Sequence, residues 1–237
     1  MVIEKAGPYV DVIVYPISKG RVDRHERSVA THCSSDLRQK ANDRTSAQKF
    51  KRLMAANFSP RDFVVTLTYS DDALPATPEL ARDRHLKPFV RKLREDFRSY
   101  GEQLKYMYVT EGLHGDKRLH HHIIVPDTLD IRNTIRDLWQ RSGQNVGFER
   151  IGSRGYQAWA SYLTKEPRKT GRRYVGQRMW TPSLNLKKPD ISKYEVADDY
   201  IYEPPAGVVI ELNETVQTEW FACQYVSYRE PHYWSEN

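Results

Sequence analysis

Residues 104–125, LKYMYVTEGLHGDKRLHHHIIV, constrain the fold more than any other stretch of the chain. The β-branched and aromatic run over 105–111 predicts one strand, and 120–125 predicts a second. Between them, 112–118 supplies two glycines and several charges, the composition of a turn. Side chains alternate across a strand, so His120 and His122 share one face while His121 takes the other. Glu111 closes the partner strand. Two imidazoles and a carboxylate placed this way can converge on one divalent cation. Nitrogen plus oxygen ligation suits an ion with open positions better than a closed, thiolate-rich structural zinc site. Taken alone, the three histidines read equally well as an incidental basic patch, and the rest of the chain has to decide.

The remaining elements follow from periodicity. Residues 9–15 alternate as a short strand ended by Pro16 and Gly20, and 21–35 is charged and irregular. A helix is predicted over about 35–56, with Leu37, Ala41, Phe50, Leu53 and Met54 on its apolar side. Arg38, Lys40, Arg44, Lys49, Lys51 and Arg52 form its basic side. Residues 63–69 read as the strongest strand, central in a sheet. Thr77-Pro78-Glu79 is a helix start, with a cap followed by proline at the first helical position. That helix should run to about residue 100, kinked or split at Pro88. A helix over 130–141, a strand over 145–151 and a helix over 155–165 complete the series. The order predicts an α+β fold with a central antiparallel sheet and packed helices.

The last of these helices carries Tyr162 and Lys165, three positions apart and therefore on one face. A phenol with a reference pKa of about 10 is a poor nucleophile at neutral pH. Near a cation and a scissile phosphate it would be assisted, because the metal stabilises developing charge. Lys165 could orient the phosphate or stabilise the leaving oxygen. A Tyr-x-x-Lys pair is also common on helices where the tyrosine merely packs.

Charge and composition narrow the field. A length of 237 residues fits one domain, or one domain with an appendage, and 15 Tyr, 5 Trp and 7 Phe supply core material. The net charge of +6 points to a polyanionic partner, nucleic acid above all. Cys33 and Cys223 form no CxxC pair and read as free thiols of a reducing compartment. No apolar run reaches the roughly 18 residues of a membrane span, and the N-terminus lacks a signal-peptide pattern. The expected location is the cytoplasm, with no membrane partner. Over 165–188 the basic residues are Lys165, Arg168, Lys169, Arg172, Arg173, Arg178, Lys187 and Lys188, against the single acid Glu166. Tyr174 and Trp180 lie among them, which suits phosphate contacts with base stacking on a single strand. Residues 189–237 reverse the balance, with many acids and only Lys193 and Arg229 as lysine or arginine. Their aromatics predict a small packed appendage, because disordered tails are poor in aromatics. The expected division is 1–34 as an N-terminal strand and irregular segment, 35–188 as the core, and 189–237 as a C-terminal appendage.

Taken in order, FVVTLTY, HHH followed by IIV, and YLTK resemble the motifs of HUH endonucleases that initiate rolling-circle replication. The likeness is to the filamentous-phage gene II type and related plasmid and prophage Rep proteins. NFSPRDFVVTLTY, LKYMYVTEG, the basic helix before them and SLNLKKP over 183–189 add to it, so the resemblance covers about residues 35–190. It implies an HUH endonuclease core, RRM-like in fold. His120 and His122 match the metal-binding histidines, with His121 where relatives usually carry a hydrophobic residue. Glu111 matches the carboxylate that often completes the site. Tyr162 matches the nucleophile and Lys165 the lysine one turn later. Thr66 and Thr68 match the first motif, whose role in the family is structural or DNA-contacting. Where relatives repeat the Tyr-x-x-Lys pattern, Ala158 and Ser161 stand here, and Tyr156 lies off the Tyr162 face; a single nucleophile is expected.

The implied activity is Mg²⁺- or Mn²⁺-dependent nicking and rejoining of single-stranded DNA at a replication origin, through a 5′-phosphotyrosine adduct and a free 3′-OH. No GxxxxGK[ST] motif occurs, so unwinding is expected to fall to a separate host helicase. A relaxase or HUH-type transposase would use the same chemistry on other DNA. A non-catalytic nucleic-acid-binding module would leave the histidines incidental.

Overall fold

The computed structural model of the protein describes residues 1–16, 36–112, 118–128, 130–139, 146–165, 178–217 and 222–231, with backbone alone over 36–41 and at 44 and 217. In chain order the strands are β1 (Val2–Ala6), β2 (Tyr9–Val14), β3 (Phe63–Leu67), β4 (Met107–Glu111), β5 (His120–Val125), β6 (Val146–Arg150), β7 (Thr181–Pro182), β8 (Asp190–Lys193), β9 (Val209–Gln217) and β10 (Ala222–Arg229). The helices are α1 (Asp36–Asn57), α2 (Pro78–Leu80), α3 (Lys87–Ser99), α4 (Ile131–Leu138) and α5 (Tyr156–Leu163). The architecture is α+β, with two five-stranded sheets whose pairings are all antiparallel, consistent with an HUH or RRM-like fold.

Two compact units are present. One comprises Met1–His32 and Lys187–Asn237, the other Cys33–Leu186. In the first, the strand order is β8-β1-β2-β10-β9. The N-terminal hairpin and the C-terminal stretch, separate segments in the sequence reading, thus share one sheet, with β2 paired to β10 from Tyr9↔Arg229 to Val14↔Gln224. Val10, Val12, Val226 and Tyr228 form its small core. Cys223 is a free, buried thiol, while Cys33, Trp220, Phe221, Tyr233 and Trp234 lie outside the described residues.

The second unit carries the order β6-β3-β5-β4-β7. β-Branched residues fill β3 and β5 because a strand buried on both faces favours side chains that pack on a pleated surface. Val65, Leu67, Ile123 and Val125 point to one face, where Phe89, Val90, Leu93 and Phe97 of α3 and Ile131 and Ile135 of α4 close the core. The opposite face carries Thr66, His120 and His122 and is met by α5, against which α1 packs.

The predicted break at Pro88 takes a particular form. Thr77 caps α2 through its side chain, and Ala81–Leu86 forms a π-helical segment leading into α3. The Lys87 amide donates to the Arg82 carbonyl, a wider i→i−5 ring. This lets the chain pass a proline that lacks an amide without leaving the helix. Two further residues depart from expectation. Lys51, placed by periodicity on the basic face of α1, is buried. Trp180, expected to stack on bases, instead packs edge-on against Phe50 at 5.4 Å and donates its indole N–H to Ser46.

Candidate active site

The register of the central hairpin builds the site. β4 and β5 pair Glu111↔His120 and Val109↔His122, and β3 adds Thr66↔His122. Glu111, His120 and His122 therefore project from one face, and their ligand atoms all lie within 4.8 Å of one another. The Nε2 atoms of His120 and His122 each stand 3.7 Å from an oxygen of Glu111. Glu111 is 3% exposed and His122 4%.

The outward nitrogens are held. His120 Nδ1–H donates to the Arg118 carbonyl at 2.8 Å, which turns Nε2 toward Glu111. His122 Nδ1 lies 3.1 Å from Thr66 Oγ1. Partners of this kind set the tautomer and orientation of metal-ligating histidines. A buried carboxylate beside two oriented imidazoles fits a divalent cation, with three protein ligands leaving coordination positions open.

Gly112 makes the corner. Its φ is +85°, and a Cβ there would lie 2.6 Å from Leu119 Cα and 2.7 Å from Leu119 N. Only glycine tolerates both the left-handed backbone and that approach. The turn residues 113–117 lie outside the described residues.

His121 has a different fate. It is buried on the core face, with Nε2 2.8 Å from the Tyr69 hydroxyl and Nδ1 2.9 Å from Thr110 Oγ1. Burial, with smaller contributions from His120, His122 and His85, pushes its pKa down to about 3, so the ring is neutral. A neutral imidazole offers one donor and one acceptor, which two hydroxyls satisfy. That is how a histidine replaces a hydrophobic residue in this core.

Tyr162, on α5, meets the face that carries His120 and His122. Its ring centroid lies 5.7 Å from that of His122 and 5.9 Å from that of Trp159. Lys165 Nζ stands 5.6 Å from the Tyr162 ring centroid. Arg154, which sequence reading missed, places its guanidinium 5.3 Å from the Tyr162 ring and 4.6 Å from the Trp159 ring, and it pairs with both Glu149 oxygens. Gly155, with φ +81°, starts α5 and folds Arg154 back over the first turns. No residue spacing announces that arrangement. Tyr156 is fully buried and donates its hydroxyl to the Phe58 carbonyl at 2.6 Å.

The other predicted residues are scattered. Thr68 is partly buried beyond the end of β3, and its carbonyl accepts from Trp139 Nε1 at 2.8 Å. Arg178 is exposed. Lys187 and Lys188 are exposed in the other unit, Lys187 4.0 Å from Asp190. Arg168, Lys169, Arg172, Arg173 and Tyr174 lie outside the described residues.

Residues 62–171 match the family model of replication-associated proteins of the ORF2 and gene II type. The match is consistent with a rolling-circle replication initiator of the gene II type, and it spans Glu111, His120, His122, Tyr162 and Lys165. No curated protein and no solved structure matches the chain. Among the described residues, no helix is long and apolar enough to cross a membrane.

Proposed function

We propose that the protein nicks and rejoins single-stranded DNA at a replication origin, with Tyr162 as the nucleophile. The observation that carries this reading is the seating of the Tyr162 ring 5.7 Å from His122, beside a buried group of three metal-capable donors. Glu111, His120 and His122 would hold the cation, Mg²⁺ or Mn²⁺ as the family resemblance implies. When bound, such an ion supplies positive charge to the scissile phosphate. The Tyr162 oxygen forms the new bond to phosphorus as the bond to the 3′ oxygen breaks. The strand is left joined to the protein through a 5′-phosphotyrosine and ends in a free 3′-OH, and attack by a 3′-OH on the adduct reverses the step. The phenolic proton must leave as the bond forms. Arg154 and Lys165 stand beside the ring, where they would contact the scissile phosphate. Thr66 orients His122, and Thr68, Arg178, Lys187, Lys188 and the basic stretch 168–174 would bind the strand. Unwinding is assigned to a separate host helicase.

The test uses single-stranded DNA from around the protein's own gene, with Mn²⁺ and a denaturing gel. A protease-sensitive shifted band that disappears with EDTA, with His122→Ala and with Tyr162→Phe is the expected result. Cleavage without a shifted band, unchanged by Tyr162→Phe, would replace the tyrosine mechanism with hydrolysis by water.

A further inference from the structure

A second site lies at the other end of β4. A cavity of about 450 Å³ is lined by Arg94, Arg98, Glu102, Tyr106, Leu184 and Asn185, among others. That volume is within the usual range for small-ligand sites. Tyr106 precedes β4 and Glu111 ends it, so at about 3.3 Å per residue the two are roughly 17 Å apart along the strand. Alternation also puts them on opposite faces. The cavity is therefore separate from the metal-side group.

Its lining is built for a particular ligand. Arg94 and Arg98 are one helical turn apart on α3, so both guanidinium groups serve the same face. Both are exposed, and neither is engaged in an ion pair among the described residues. Tyr106 stands parallel to Tyr108, with centroids 6.1 Å apart and planes 8° from parallel. The far wall is pinned: the Ser183 amide donates to the Tyr106 carbonyl at 2.8 Å, the Tyr106 amide to Ser183 Oγ at 3.1 Å, and Asn185 Nδ2 to the Leu104 carbonyl at 3.2 Å. From that wall Leu184 projects with its whole side chain exposed. Burial raises the pKa of Tyr106, so its ring stays uncharged and does not repel an anion.

We propose that this cavity binds one unpaired nucleotide of single-stranded DNA, its base against Tyr106 and Leu184 and its phosphates on Arg94 and Arg98. An aromatic platform with adjacent unpaired cations is the chemistry that recognises a nucleotide unit without reading its sequence. The site is a second anchor for the strand that the nicking reading assigns to Tyr162. It rests on that reading for its biological use and not for its binding.

The experiment titrates fluorescein-labelled dT20 with the full chain in EDTA, where no metal-dependent step takes place. Arg94→Gln/Arg98→Gln and, separately, the exposed Leu184→Asp should each weaken binding about tenfold. The double arginine variant should also reduce the slope of log K against log salt by roughly 1.4, at about 0.7 per phosphate contact on a single strand. Unchanged affinity and salt slope in both variants would overturn the site. Weakened binding in EDTA, with no adduct from the parent protein on single-stranded DNA from around its own gene with Mn²⁺, would keep the site and sink the nicking reading.

Discussion

Thr66→Val isolates the contact that orients His122. The substitution keeps the β-branched shape that a central strand favours and replaces the hydroxyl, 3.1 Å from His122 Nδ1, with a methyl group. Two costs follow. The buried ring loses a hydrogen-bond partner, worth about 1–3 kcal/mol when the group stays unsatisfied. It also loses the restraint that presents Nε2 toward Glu111 Oε1, 3.7 Å away. Outer partners of metal-bound histidines typically contribute 10–100-fold in affinity, which is about 1.4–2.8 kcal/mol at 1.4 kcal/mol per tenfold. Calorimetric titration with Mn²⁺ should therefore show a dissociation constant 10–100-fold weaker, with Thr66→Ser recovering most of the loss. Equal affinity for Mn²⁺ in Thr66→Val and the parent would refute the reasoning and leave His122 outside any metal site.

Other substitutions test neighbouring parts of the account. Gly112→Ala must accept φ +85° and a Cβ 2.6 Å from Leu119 Cα; it should destabilise the unit by more than about 2 kcal/mol in urea unfolding and abolish Mn²⁺ binding. An alanine variant with parental stability would show that this corner is soft. Tyr156→Phe removes a hydroxyl donated to the Phe58 carbonyl and should cost about 1–3 kcal/mol while leaving adduct formation intact; loss of the adduct in a folded Tyr156→Phe protein would reopen the choice of nucleophile. For Asp62, burial raises the pKa above its ordinary 3.8, outweighing the amides of Ser59 and Asp127 that donate to it. Its protonated form is thus favoured by folding, and the stability it contributes is present below about pH 3.8 and lost as pH rises through the raised value. The stability difference between the parent and Asp62→Asn, from urea midpoints, should shrink as pH rises from 3.5 to 6; growth of that difference would mean that the hydrogen bonds prevail.

Much of this site is legible in the sequence because strand alternation is local. HHHIIV alone fixes which histidines share a face, and the structure puts β5 at His120–Val125 with His121 in the core. Periodicity likewise brings the helices to within a few residues of their observed bounds. What the sequence hides is long-range. β2 pairs with β10 across nearly the whole chain, and no local pattern in Ala222–Arg229 announces its partner. β8 is short and exposed along its length, so it shows no alternation to detect. Lys51 and Trp180 mislead for a related reason, since their settings depend on how α1 and the segment before β7 pack in space. Arg154 reaches Tyr162 only because Gly155 turns the chain back at positive φ.

The most direct test is to locate the DNA attachment by mass spectrometry. Adduct formed with Mn²⁺ would be trimmed with nuclease, digested with trypsin and fragmented. The expected peptide, residues 155–165, GYQAWASYLTK, contains two tyrosines, so fragment ions must separate them. The account predicts the nucleotide mass on Tyr162 and an unmodified Tyr156. A nucleotide on Tyr156, or on any residue outside this peptide, would contradict the assignment of Tyr162 as the nucleophile beside Glu111, His120 and His122.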